Sequence, residues 1–281
     1  MPSKASCPKN HRLNYKTDLA MTREDFTDRE VVVSLTSFPP AIGYAVKAIR
    51  SILKGSVLPD RIVLYLYLPQ FRDSTVPEEL TQLQKEYPIF EIRDCESDTR
   101  SYKKLVPALR DFPESIIITV DDDVAYHKNM VRDLLRLHAK YPEYIFAHRA
   151  KQVMPGFPYK KWTKYRWYHF LFKRIQPSFR NLQTGVGGVL YPPHSLSSEM
   201  MDESLFTELA PTCDDIWFWA AAVANGTKVV PVPFGHNKPK GLGKPASISL
   251  KTLNFKKSDD RNTAALMAIL HRYLNITAKL I

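Results

Sequence analysis

Two periods of apolar and polar positions alternate along the first half of the chain. Val31-Val32-Val33-Ser34-Leu35 is an unbroken, largely β-branched run, the pattern of a strand buried on both faces. Thr36-Ser37-Phe38-Pro39-Pro40 turns the chain, and Ala45 to Leu53 then has helical spacing. Strand character returns over Arg61 to Leu68, entered through Pro59-Asp60. Residues 77–86 predict a helix that starts with Pro77 and places Glu78 and Glu79 in its first turn, where carboxylates face the positive end of the helix dipole. Phe90 to Arg93 predicts a short strand, residues 102–111 a helix, and Ser115-Ile116-Ile117-Ile118-Thr119-Val120 the clearest strand of all. An amphipathic helix over 128–140 completes this half.

Alternation of strand and helix over 31–140 implies an α/β fold, a mostly parallel sheet covered by helices on both faces. Ligands of such sheets sit outside the carboxyl ends of the strands. Asp121-Asp122-Asp123 follows the Ile-rich strand directly, at that edge. Beyond it, residues 149–180 are irregular, basic and aromatic. Gly185-Val186-Gly187-Gly188 leads into a strand at Val189-Leu190-Tyr191, Asp214 to Ala224 reads as a helix, Lys228 to Val232 as a strand, and residues 263–274 as a closing helix. The expected organisation is an arm over 1–30, a catalytic domain over 31–237 that divides near 125, and an extension over 238–281.

Composition adds a few constraints. With 44% hydrophobic and 25% charged residues the chain has the make-up of a globular protein. Cys7, Cys95 and Cys213 are odd in number and far apart, which fits neither a disulfide framework nor a zinc knuckle. The first residues are polar and lack the apolar core of an export signal, and no apolar run is long enough to span a bilayer. A cytoplasmic location is expected. The net charge of +11 suits polyanions: nucleic acid, anionic lipid or phosphate-bearing substrates. Tyr159 to Tyr168 interleaves cations with aromatics, so the 159–180 stretch is a candidate for peripheral contact with an anionic membrane, or for stacking on sugars or bases.

Three adjacent carboxylates repel one another and call for a cation or strong donors. An all-oxygen set favours Mg²⁺ or Mn²⁺ with open positions for phosphate oxygens. A second pair, Asp214-Asp215, opens the helix bearing Trp217-Phe218-Trp219. Thr212 or Asp214 could cap that helix; alternatively Asp215 is a general base for an attacking hydroxyl. Lys103 and Lys104 sit where a cation can neutralise a diphosphate. Gly187 and Gly188 let backbone approach a ligand, and His236 is a candidate metal ligand.

The order of five segments resembles bacterial glycosyltransferases of the glycosyltransferase-A fold, of the kind found in capsule, lipopolysaccharide and exopolysaccharide biosynthesis. The segments are Val33 to Pro39, Ser101 to Leu109, Ile118 to Asp123, Thr184 to Pro193 and Pro211 to Phe218. The resemblance implies a metal-dependent transfer from a nucleotide sugar, with UDP as the nucleotide, to a glycan or lipid-linked glycan. It implies that Asp121 and Asp123 are the ends of the Asp-x-Asp motif: Asp123 would hold Mn²⁺ or Mg²⁺, and Asp121 would contact the ribose or the metal. Thr36 and Ser37 would line the nucleotide pocket, Asp98 would face the base, and Lys103 or Lys104 the diphosphate; Asp122 is a further cofactor-binding candidate with no assigned role. Gly187 and Gly188 would shape the wall near donor sugar and acceptor, Asp215 with Asp214 would be catalytic in an inverting reaction, and His236 falls near a late metal ligand. The family's arginine after the Phe-Pro turn is missing from Pro40-Ala41-Ile42-Gly43. Two other classes use parts of the same pattern. A nucleotidyltransferase also binds metal after a parallel strand, but no glycine-rich, lysine-containing loop follows the first strand here. A non-enzymatic nucleic-acid binder would use the charge but leave the carboxylate clusters without a role, so nucleic acid is not an expected partner.

Overall fold

The structure is a computed structural model, and it describes residues 21–165, 176–233, 238–245, 247, 255–256 and 259–280. The strands are β1 (Val31–Thr36), β2 (Arg61–Leu66), β3 (Phe90–Asp94), β4 (Ile116–Thr119), β5 (Val124–Ala125), β6 (Ile145–Ala147), β7 (Ala150–Gln152), β8 (Asn181–Gln183), β9 (Val189–Tyr191), β10 (Val229–Pro231) and β11 (Lys240–Gly241). The helices are α1 (Ile42–Ile52), α2 (Glu78–Glu86), α3 (Val106–Asp111), α4 (Met130–His138), α5 (Glu203–Leu209), α6 (Asp214–Asn225), α7 (Arg261–Arg272) and α8 (Leu274–Ala278).

Seven strands form the central sheet in the order β10-β6-β9-β4-β1-β2-β3. β1 lies parallel between β2 and β4, with Val33 opposite Ile62 on one side and Ile118 on the other. β9 runs antiparallel to both β4 and β6, and β10 is parallel to β6. The first half is thus the parallel sheet that the alternation predicts, and one reversed strand joins it to the second half.

The pleat of β1 shows why its run is apolar throughout. Val31, Val33 and Leu35 pack on α1, α2 and α4 through Ile49, Leu83 and Leu134, while Val32 faces the other layer. That second layer contains α3, α6, α7 and α8, with Trp217, Trp219, Leu266, Ile269 and Ile276 all buried. The indole N–H of Trp217 donates to Met200 O at 2.7 Å and that of Trp219 to Phe179 O at 2.7 Å. Both rings therefore bury their area without stranding a polar atom.

The closing helical segment and part of the membrane-contact candidate supply core residues. α7 and α8 pack on α6, so the end of the chain completes the second core. Tyr159 and Trp162 are also buried, and the Trp162 indole donates to Phe157 O at 2.9 Å. They are core residues, not aromatics displayed to a membrane. Residues 166–175 of the same stretch lie outside the described residues, and so does His236. No helix among the described residues is long and apolar enough to cross a membrane.

Candidate active site

β4 delivers the acidic triplet to the carboxyl edge of the sheet. Val120 N–H donates to Ser34 O at 3.0 Å, which carries the ladder one residue past β4 before the chain turns. The Asp121 N–H then donates to the buried Tyr126 hydroxyl at 2.7 Å. A cleft of about 770 Å³ opens over this edge. Thr36, Ser37, Asp98, Lys103, Lys104, Asp121, Asp122, Asp123, Asp214 and Asp215 all line it. Segments far apart in sequence thus converge on one surface.

The three adjacent carboxylates point to different partners. Asp121 Oδ1 lies 2.9 Å from Lys104 Nζ. Asp122 turns beneath the cleft, where it accepts from Ser37 Oγ at 2.7 Å and pairs with Lys244 Nζ at 2.7 Å. Asp123 Oδ2 is 3.1 Å from the same Lys244 Nζ. Burial holds the Asp122 carboxyl above the usual range although Lys244 and Ser37 oppose it. Asp122 is therefore a buried strut in the floor, its side chain 8% exposed, while the Asp121 and Asp123 side chains are more open to the cleft at 24% and 29%.

Lys103 and Lys104 close a 3-10 turn over Arg100–Lys104. With three residues per turn, neighbouring side chains diverge widely. Lys103 pairs with Asp98; burial pushes that carboxyl up, but Lys103 and Arg100 together hold it below the usual range. Lys104 turns inward, 2.9 Å from both Asp121 Oδ1 and Asp214 Oδ2. Tyr102 anchors the turn, stacked on Phe206 at 4.1 Å and donating its hydroxyl to Ala210 O at 2.6 Å. Burial works against the charge of Lys104, but Asp121, Asp214 and Asp215 together hold its pKa well above normal.

Asp214 and Asp215 occupy the first turn of α6, whose N-cap is Cys213 with no side-chain capping bond. The capping alternative therefore does not describe them. Asp214 serves Lys104, and Asp215 Oδ1 accepts the Gly185 N–H at 3.1 Å. Burial, then the nearby Asp214, pushes the Asp215 carboxyl up to about 7.

The glycine expectation needs correction. Thr184 and Val186 line the cleft, whereas Gly187 and Gly188 do not. Gly188 instead adopts φ +88°, and a Cβ there would lie 2.9 Å from Met130 Sδ, away from the carboxylates. The close approach belongs to Gly185, where a Cβ would stand 2.6 Å from both Asp121 Oδ1 and Lys104 Nζ. Gly185→Ala should therefore force the Lys104–Asp121 pair apart. We expect a loss of about 1–3 kcal/mol in stability, measurable by urea unfolding, as for an overpacked site.

Several lining residues were not singled out one by one in the sequence pattern. Lys244 belongs to a basic tail in which no lysine stands out. It reaches the site because β11 pairs with β5, and because Leu242 N–H donates to Asp123 O at 2.8 Å. Arg149, Lys151, Tyr159 and Lys164 also line the cleft, and Lys151 and Tyr159 lie in the field of Asp215.

No protein-family model and no curated protein matches this sequence. Solved structures do resemble it. TarS 1–349 of S. aureus aligns with a TM-score of 0.50 at 14% identity, over 87% of this chain and 72% of that one. GalNAc-T7, solved with UDP, GalNAc and Mn²⁺, aligns with a TM-score of 0.51 at 10% identity, over 76% of this chain and 44% of its own. The chain thus spans less than half of that GalNAc-T7 structure. The fold, here a mostly parallel seven-stranded sheet between two layers of helices, is shared with both of these structures.

Proposed function

We propose that this chain transfers a sugar from a nucleotide sugar, with UDP as the nucleotide, to a hydroxyl of a glycan or lipid-linked glycan. One observation carries the reading. Lys104 ties Asp121 to Asp214 at 2.9 Å each, next to Asp215, a carboxyl that titrates at about 7. Charge stabilisation for a phosphate leaving group and a base poised for neutral pH are therefore in one cleft.

Asp121 and Asp123 would hold the divalent ion. The set is all oxygen, both side chains reach the cleft, and the structure already gathers cations around them in Lys104 and Lys244. Among the described residues no third metal-ligating side chain joins them. Phosphate oxygens and water complete such Mg²⁺ and Mn²⁺ sites in general. When bound, the ion supplies charge neutralisation for the diphosphate.

The protein's own residues account for the rest. Thr36 and Ser37 line the nucleotide side, and Asp98 with Lys103 borders it. Oδ1 of Asp215 is held by the Gly185 N–H, leaving Oδ2 to take the acceptor proton. The acceptor oxygen attacks the anomeric carbon as the bond to the diphosphate oxygen breaks and that oxygen keeps the electron pair. A single displacement of this kind inverts the anomeric centre. Lys104 stays charged throughout and stabilises the charge that develops on the leaving diphosphate.

Two finer parts belong to the same reading. A setting in capsule, lipopolysaccharide or exopolysaccharide assembly, on the cytoplasmic side of the membrane, fits a lipid-linked acceptor. Exposed Lys160 and Lys161 supply charge for peripheral contact with anionic lipid, which sedimentation with anionic vesicles at low salt checks. For the donor site, Asp123→Ala should weaken UDP binding in the presence of Mn²⁺ at least about tenfold, as charge-assisted contacts are lost. Titration calorimetry reads this, and equal affinity in the variant removes Asp123 from the site.

A further inference from the structure

A second group of positive charges, apart from Lys103, Lys104 and Lys244, lines the cleft that holds Asp215. Arg149 sits in the bend just before β7, and Lys151 lies within that strand. Lys164 pairs directly across from Lys151 in an antiparallel bridge, bracketed by Gln152 N–H to Thr163 O at 2.8 Å and Tyr165 N–H to Ala150 O at 3.1 Å. All three side chains line the cleft with Asp215.

These cations are held against their mutual repulsion. Lys151 is 4% exposed, packed with Nζ 3.3 Å from the Tyr159 ring centroid and donating to Tyr159 O at 3.0 Å. Burial, then the charges of Lys164 and Arg149, pulls its pKa down to about 8, with Asp260 and Asp215 acting weakly the other way. No carboxylate forms an ion pair with Arg149, Lys151 or Lys164 among the described residues. The contrast with Lys103, Lys104 and Lys244, each of which is paired to aspartate, is sharp. Clustered like charges in a cleft, without counter-charges, suit an anion that arrives with a ligand.

We propose that Arg149, Lys151 and Lys164 form an acceptor subsite for an anionic group, a carboxylate or a phosphate carried close to the hydroxyl that receives the sugar. The placement rests on the reading of Asp215 as the base, because that residue fixes where the acceptor hydroxyl lies. A neutral glycan leaves the three charges unmatched; an anionic one is matched by Arg149 in bidentate geometry and by two lysines as point charges. The subsite thus sets the class of acceptor, and it ascribes part of the chain's excess of positive charge to substrate recognition.

The test is titration calorimetry on the full chain, with and without UDP and Mg²⁺. The probes are methyl glucuronoside against methyl glucoside, and glycerol 3-phosphate against glycerol. At least one anionic probe should bind tenfold or more tightly than its neutral partner, and the pair that shows the preference tells carboxylate from phosphate. Arg149→Gln and Lys164→Gln should each bring that ratio close to one. The exposed Lys164 is the safer substitution for folding, and circular dichroism verifies both variants. Equal binding of both pairs, or a preference that survives both substitutions, overturns the subsite. UDP titrated alone with Mg²⁺ reports separately on the donor reading, since its failure leaves the comparison of probes without nucleotide intact.

Discussion

Asp215→Asn is expected to lower kcat by about 10³-fold, within the range a general base contributes, while leaving the fold in place. Asn keeps an oxygen to accept the Gly185 N–H, so the local geometry survives. Only the capacity to take a proton is lost. The same substitution should stabilise the protein at high pH. Asp215 titrates at about 7 in the fold, against about 4 in an unfolded chain. A carboxyl raised in this way contributes stability that is fully present below about pH 4 and is lost as pH rises through about 7. Wild type therefore carries a cost at pH 8 that the variant does not. Discounted for the partial exposure of Asp215 and its coupling to Asp214, the gain is about 2–3 kcal/mol. Calorimetric Tm should rise at pH 8, and the gain should shrink towards pH 4. Wild-type kcat should fall on the acid side of about pH 7. An active Asp215→Asn enzyme would place the base elsewhere.

Lys104→Met should be the most damaging substitution in the cleft. The lysine side chain is 7% exposed and is the shared partner of Asp121 and Asp214, with Asp215 in its field. Methionine fills a similar volume, so packing changes little. What remains is a group of carboxylates without their cation, and breaking a buried pair in this way costs about 3–5 kcal/mol. Protonation relieves the repulsion, so the deficit should be largest at pH 8 and smaller near pH 5. Denaturant unfolding at the two pH values measures the difference. A deficit that does not vary with pH would mean that Lys104 acts through packing alone.

The contrast between Lys104 and Lys103 shows how far a sequence reading reaches here. The pair was visible as diphosphate-binding candidates, but which lysine turns inward depends on the 3-10 turn and on Tyr102 stacking against Phe206. The Ile-rich strand before Asp121 was legible because four consecutive buried residues, Ile116–Thr119, leave an unbroken apolar run. The three-residue strands β6 and β8 were not, since neither has a period to detect or, as β9 has, a glycine-rich approach that marks it. The reversal of β9 was also hidden, because strand direction depends on the connection and not on residue type. Asp214-Asp215 was legible as a pair with two possible roles. The absence of a capping bond and the Gly185 contact settle where the side chains go. Gly185 was passed over for Gly187 and Gly188 because all three look alike without the neighbouring carboxylate. Lys244 could not be found at all, since it lies 122 positions from Asp122 and its approach depends on a two-residue strand pairing.

The most direct measurement is phosphorus NMR of the protein incubated with Mn²⁺-free, Mg²⁺-supplemented nucleotide sugars and an acceptor mixture. Sugar transfer predicts that a nucleoside diphosphate accumulates from at least one donor, and that Asp215→Asn suppresses it. Release of pyrophosphate instead, or nucleoside diphosphate formation unaffected by that substitution, would contradict the account.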